Sequence, residues 1–260
     1  MALRCVYTDL DGTLLGRGAS LFHDEDGAFT LLAGRGLEAC HRAGVEVMLI
    51  SGRRRGQVAE PARLIGATAY CFEIGGGLVI DGEETWLCGD YQPRDGRTAW
   101  DLIGDSGAPA LLLDAYPETL ELHAPWHRGR EVTHLFRGAV DLAEANALLE
   151  REGIAGLRLL DNGTIDAARR CYHLAPATAS KAAAVTAHMR ARGYAPEQCI
   201  AVGDSREDAE VAPAVGRLFL VANADPELEA GPNVTRTESA HGAGFSEAVV
   251  QALVAEQPVR

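Results

Sequence analysis

A strand-sized apolar run, Leu3 to Thr8, breaks off at Asp9-Leu10-Asp11-Gly12-Thr13-Leu14, so the chain opens with a buried strand that delivers two carboxylates into a loop. The same arrangement recurs. Val45 to Ile50 runs into Ser51-Gly52-Arg53, Ala69 to Ile74 into Gly75-Gly76-Gly77, Ile200 to Val202 into Gly203-Asp204, and Leu218 to Ala222 forms another strand. Helical patterns lie between them at 28–42, 54–65 and 180–192, stopped by Gly44, Gly66 and Gly193, then near Arg206 and at 245–255. Strands that are apolar throughout and alternate with helices form a parallel sheet covered on both faces. The expected fold class is α/β, with a Rossmann-like parallel-sheet core.

The alternation is interrupted between 82 and 176. All three tryptophans of the chain (Trp86, Trp100, Trp126) and four of its eight histidines fall there. Residues 110–113, 119–123, 132–136 and 157–160 read as strands, and 141–152 as a helix ending before Gly153. A second domain of roughly ninety residues is expected, within the usual domain size. The division is 1–81 and 177–260 for the core, and 82–176 for a small α+β insertion.

Polar residues stand at the core strand ends in one order: Asp9 and Asp11, Ser51, Lys181, then Asp204 with Asp208. In an open parallel sheet the C-terminal strand ends share one crevice, where ligands bind. Carboxylates brought together there repel unless a cation lies between them, and oxygen donors suit Mg2+. A hydroxyl, helix-terminal amides and an ammonium would hold a phosphate opposite. This is the composition of a phosphoryl-transfer site, with one carboxylate to attack phosphorus, another to handle the proton and a cation to neutralise charge. Each residue also has an ordinary use. Asp-x-Asp-Gly is a common turn, Ser51 and Ser205 suit helix caps, Asp208 suits a helix's first turn, and lysines mostly sit on surfaces. Lys181 stands apart because it is the single lysine among 24 basic residues.

In Asp9-Leu10-Asp11-Gly12-Thr13, Ser51-Gly52-Arg53, Lys181 and Gly203-Asp204-Ser205-Arg206-Glu207-Asp208 the chain resembles the haloacid dehalogenase (HAD) superfamily of aspartate-nucleophile phosphatases. The resemblance covers essentially the whole chain and implies that the insertion is a C2-type cap. It implies Asp9 as the nucleophile, Asp11 as general acid and then base, and Ser51, Gly52 and Lys181 as holders of the phosphoryl oxygens. Mg2+ would be bound by Asp9, the Asp11 backbone carbonyl and Asp204, with Asp208 in or beside that shell. Gly75-Gly76-Gly77-Leu78 after Glu73, with Arg130-Glu131-Val132-Thr133, is similar to the mannosyl-3-phosphoglycerate phosphatase and Cof-type sugar phosphatase branch. Ile74 and Ala182 stand where that branch usually has Asn and Gly. The activity implied is Mg2+-dependent hydrolysis of a small phosphorylated metabolite, a sugar phosphate or glycosyl-3-phosphoglycerate. The residues by themselves leave open a phosphomutase, a phospho-accepting signalling domain or an idle binding protein.

The core supplies phosphate chemistry alone, so the cap must supply specificity. His123 to Arg130 is a basic and aromatic stretch in an otherwise acidic protein, and Arg53, Trp126, Arg130, His134 and Arg137 are the candidate substrate residues. Gly75 to Gly77 lack the Gly-x-Gly-x-x-Gly spacing of a dinucleotide loop and read as a turn before a short strand at 78–80. A net charge of −13 argues against a nucleic-acid partner. No apolar run approaches a membrane span or a signal peptide. The expectation is a soluble, cytoplasmic monomer or homodimer. The six cysteines form no Cys-x-x-Cys pair and read as reduced core thiols.

Overall fold

The computed structural model describes residues 2–166, 168–228 and 231–255. In chain order the first elements are β1 (Cys5–Thr8), α1 (Leu32–Ala43), β2 (Glu46–Ile50), α2 (Arg55–Ile65), β3 (Ala69–Phe72), β4 (Gly77–Ile80) and β5 (Glu83–Trp86). Next come α3 (Ala99–Asp105), α4 (Ala108–Ala115), β6 (Leu120–Leu122), β7 (His134–Gly138), α5 (Leu142–Arg151), β8 (Leu157–Thr164) and β9 (Arg170–Pro176). The chain ends with α6 (Lys181–Arg192), β10 (Cys199–Gly203), α7 (Arg206–Ala209), β11 (Arg217–Leu220), β12 (Val234–Arg236) and α8 (His241–Ala255).

The large sheet runs β12-β11-β10-β1-β2-β3-β4-β5. Its first six strands are parallel; β4 and β5 return antiparallel. Alternation along the strands builds two cores. Val6, Leu49, Val202 and Phe219 pack with Leu37 of α1, Val58 of α2 and Phe245 of α8, while Tyr7, Met48, Ala201 and Leu218 pack with Val185 and Met189 of α6. Both faces are therefore covered, as strands apolar throughout require. The strand ends remain open for chemistry.

The small sheet, β6-β7-β9-β8, is antiparallel. One face carries Phe136, Leu159, Tyr172 and Leu174 against Ile103 of α3, Leu112 of α4 and Leu149 of α5. The alternate residues Leu135, Cys171 and His173 turn to the large domain. There Leu160 and Ala175 meet Ile74 in a small buried cluster.

Several elements depart from the sequence expectation. Residues 110–113 lie in α4, not in a strand. A short apolar run does not distinguish the two, and Gly107 (φ 78°) with a proline in the first turn begins a helix here. The first long helix starts at Leu32, because Ala28 to Thr30 turn back on the preceding loop through Asp24 Oδ1 and the Phe22 carbonyl. α3 and β9 were not expected. A capping box of Thr98 and Asp101 starts the former, and the latter hides its alternation behind Arg169-Arg170. β5, beyond the expected boundary at 81/82, pairs with β4 in the large sheet. No helix among the described residues is long and apolar enough to cross a membrane.

Candidate active site

β1 lies between β10 and β2, so its C-terminal end opens in the middle of the large sheet. There it delivers Asp9, which is almost fully buried. Ser180 caps α6 by accepting from the Ala183 N–H, and this makes Lys181 the first residue of that helix. Its ammonium donates to Asp9 Oδ1 at 2.7 Å and to Asp208 Oδ1 at 2.8 Å. The chain's one lysine is thus 3% exposed and ion-paired twice. Burial opposes its charge, but Asp208 and Asp9 outweigh burial and hold the ammonium well above its usual pKa.

Asp208 is committed on both oxygens. Its Oδ2 accepts from Ser205 Oγ at 2.6 Å, Ser205 N at 3.1 Å and Asp204 N at 3.3 Å. Thr13 Oγ1 donates to Asp204 Oδ1 at 2.8 Å. Two glycines make this crowding possible. A Cβ on Gly12 (φ 84°) would lie 2.3 Å from Asp204 Oδ2, and one on Gly203 would lie 2.2 Å from the Asp208 Cβ. Ser51, at the end of β2, is buried, and its Oγ accepts from Arg53 N at 3.2 Å.

Carboxylate oxygens of Asp9, Asp204 and Asp208 lie within 4.8 Å of one another. Burial, then repulsion from Asp208, raises Asp204 to about 6. Burial likewise raises Asp9 against the pull of Lys181, with Asp208, Asp204 and Asp11 adding to the rise. One ammonium does not offset this charge, and oxygen-only donors fit a hard divalent cation. Oδ2 of Asp9 and Oδ2 of Asp204 are the oxygens that accept no hydrogen bond among the described residues. Asp208, occupied by Lys181 and Ser205, supports the set from behind. The Asp11 carboxylate stands outside it, gripped by Arg53 through Nε at 2.6 Å and Nη2 at 2.5 Å.

A cavity of about 1190 Å³ lies between the sheet ends and the small domain. Of the expected substrate residues, Arg53, Trp126 and Arg130 line it. Arg130 is buried, donates to the Gly52 carbonyl at 3.0 Å and faces Glu73 at 3.7 Å. Two expectations are corrected. His134 stacks on Trp100 with ring centroids 4.4 Å apart and donates to the Trp100 carbonyl at 2.9 Å, because the pleat turns it to the helix side. Arg137 sits directly across from Glu121 on the neighbouring strand and pairs with it at 2.7 Å.

Other lining residues escaped the sequence reading: Asn162, Cys171 and His173 from the small domain, and Glu207, whose carboxyl burial pushes up to about 7. The role of Glu73 was also hidden. Fully buried, it accepts from the backbone N–H groups of Glu131, Val132 and Thr133 and from Thr133 Oγ1. The three glycines after it are more than a turn. Cβ atoms there would strike the Ser180 carbonyl at 2.2 Å, Val132 at 2.5 Å and the Phe72 ring at 2.0 Å.

The sequence profile of the haloacid dehalogenase-like hydrolases matches residues 157–246, the stretch that carries Lys181, Asp204 and Asp208. A Methanothermobacter thermautotrophicus protein named phosphoglycolate phosphatase is 27% identical over 252 residues, covering 95% of this chain and 97% of its own length. A solved Thermoplasma acidophilum structure superposes with a TM-score of 0.70 at 17% identity, over 97% of this chain and 99% of that one. The sucrose-phosphatase of Synechocystis, solved with sucrose and phosphate, superposes with a TM-score of 0.69 at 17% identity, over 97% and 98%. Over residues 157–246 the chain is similar to the haloacid dehalogenase-like hydrolases, and its fold is that of the solved structures above. The matched profile and the phosphatase-named relatives, which align along nearly the whole chain, support a phosphatase. Asp9, Asp11 and Ser51 lie outside the matched profile.

Proposed function

We propose that this hydrolase is a Mg2+-dependent phosphatase of a small phosphorylated metabolite, working through an aspartyl-phosphate on Asp9. One observation carries the reading: a buried aspartate at the central strand end, ion-paired to the chain's single lysine within an all-carboxylate cluster. Oδ2 of Asp9 attacks phosphorus, and the bond from phosphorus to the leaving oxygen breaks. Asp11 gives that oxygen its proton, then takes one from the water that attacks the phospho-Asp9 bond and regenerates the carboxylate. Lys181, Ser51 and the Gly52 amide hold the phosphoryl oxygens throughout. Asp9, Asp204 and the Asp11 carbonyl, with Asp208 behind them, would hold Mg2+, which would neutralise the negative charge gathered there.

The relatives' name and the sucrose-phosphatase fold bracket the substrate between a two-carbon phosphorylated acid and a sugar phosphate. The cavity of about 1190 Å³ exceeds the roughly 300–1,000 Å³ of ordinary small-molecule pockets, which favours the sugar-bearing end of that range, a sugar phosphate or glycosyl-3-phosphoglycerate. Half-exposed Trp126 offers a stacking surface there. Phosphate release from a panel spanning phosphoglycolate, hexose 6-phosphates, sucrose 6-phosphate and mannosyl-3-phosphoglycerate, with and without Mg2+, tests the reading. Metal-dependent turnover that disappears in Asp9→Asn is expected; full turnover in that variant rejects the mechanism.

A further inference from the structure

The cap carries a second polar device that the phosphoryl chemistry leaves unused. His173, on the cap strand β9, is 1% exposed and lines the cavity. Its Nδ1 lies 3.0 Å from Thr133 Oγ1, which lies 3.1 Å from Glu73 Oε2. Its Nε2 has no hydrogen-bond partner among the described residues.

The proton positions follow from what each group can do. The Glu73 carboxylate already accepts three backbone N–H groups, so it serves Thr133 as an acceptor. The single hydroxyl proton of Thr133 therefore goes to Glu73. Thr133 Oγ1 then has only lone pairs to offer His173, so Nδ1 carries a proton and donates it. The ring is kept neutral by burial and by the positive charges of Arg130, Lys181 and His123. Nε2 is left as a bare lone pair.

We propose that His173 is a specificity-determining residue, whose Nε2 accepts a hydrogen bond from a hydroxyl on the leaving group of the substrate. The Nε–H of Arg130 is also buried without a partner among the described residues, on a second side chain lining the same cavity. A hydroxyl both donates and accepts, which are the two roles these orphan groups call for. A carboxylate can answer only the arginine. The relay runs from the core residue Glu73 through the cap residue Thr133, and thus the acceptor is set where the two domains meet. This inference rests on the phosphatase reading and narrows its substrate to a hydroxylated one.

A site built to bond a hydroxyl rejects the analogue that lacks it, since its polar groups are left unpaired. The test uses matched pairs differing by one hydroxyl: 3-phosphoglycerate against 3-phosphonooxypropanoate, and glucose 6-phosphate against its monodeoxy analogues. The wild type is expected to favour the hydroxyl member of at least one pair about tenfold or more in kcat/KM. His173→Asn keeps an N–H for Thr133 but has nothing at the Nε2 position. It is expected to bring that ratio near one while the deoxy member's kcat/KM stays within about threefold. Equal losses for both members of every pair, or unchanged ratios, overturn the proposal. A readout independent of turnover is the 15N spectrum of His173. The neutral ring protonated at Nδ1 is expected in the wild type, with that pattern lost in Thr133→Val; a cationic or Nε2-protonated ring overturns the proposal. Failure of the phosphatase reading would be seen separately, as Asp9-independent turnover or none.

Discussion

The guanidinium of Arg53 clamps the carboxylate of Asp11 through two hydrogen bonds, 2.6 and 2.5 Å long. A carboxylate with both oxygens accepting cannot deliver a proton to a leaving group. On the proposed mechanism, catalysis by Asp11 requires Arg53 to let go, and the incoming phosphate is the natural competitor for a guanidinium fork. Arg53→Ala is expected to raise KM about tenfold with kcat within a few-fold. Asp11→Asn should lower kcat by about a hundredfold or more. Steady-state kinetics separate the two, and equal kcat losses would place Arg53 in the chemistry itself.

Lys181 holds two buried carboxylates that otherwise repel each other. Removing one member of a buried ion cluster strands the others, at a cost of about 3–5 kcal/mol. Lys181→Met is expected to lose stability on that scale in chelator, and adding Asp208→Asn should recover part of it. Both variants should be inactive. Urea melts of the single and double variants measure the coupling; simple additivity would contradict the shared network.

Much of this site was legible because its residues sit where an apolar run ends. Asp9, Ser51 and Asp204 each terminate a buried strand, and the lone lysine marked itself by composition. The cap was less legible. His134 and Arg137 read as substrate residues by charge alone, but the pleat and the cross-strand Glu121 decide where they go. His173 lies in a strand whose alternation is masked by arginines, and its partners Thr133 and Glu73 are distant in sequence. The φ of 60° at Ile74 was likewise invisible, since a β-branched residue is a poor signal for a left-handed turn.

Mg2+ should act on stability as well as on rate. The cluster of Asp9, Asp204 and Asp208 lacks one cation's worth of compensation in the protein alone. Millimolar Mg2+ is expected to raise Tm by several degrees, as any ligand of the folded state does. The shift should vanish in Asp204→Asn, which keeps the Thr13 contact but removes a charged ligand. Thermal melts against metal concentration check this, and an equal shift in the variant would move the ion elsewhere.

Glu73 ties the cap segment to the core with four accepted hydrogen bonds, all to residues 131–133. Glu73→Ala leaves those donors buried and unpaired, with Arg130 uncompensated, and is expected to cost about 3 kcal/mol or more. Glu73→Gln retains an acceptor oxygen and should cost less. Because the anchor is at the domain junction, Glu73→Ala should also speed proteolysis within the segment 124–130 before global unfolding. Limited proteolysis with mass analysis reads that order directly.

At the far end of the sheet Glu46 links β2 to α6 and to the loop that follows it. Burial alone would raise its carboxyl, but His188 and then Arg192 outweigh it and hold Glu46 at about 2. Arg192 donates to it at 2.9 Å, and Tyr194 OH at 3.0 Å. A carboxyl depressed in the folded state binds protons less readily there than in the unfolded chain. Its stabilisation is therefore complete above the unfolded value of about 4.5 and is lost as pH falls towards about 2. Glu46→Gln is expected to cost roughly 1 kcal/mol at pH 7, after discounting for solvent screening. The difference from wild type should shrink between pH 4.5 and pH 2. Denaturation at stepped pH gives both curves, and a gap independent of pH would mean that Glu46 acts through packing instead of charge.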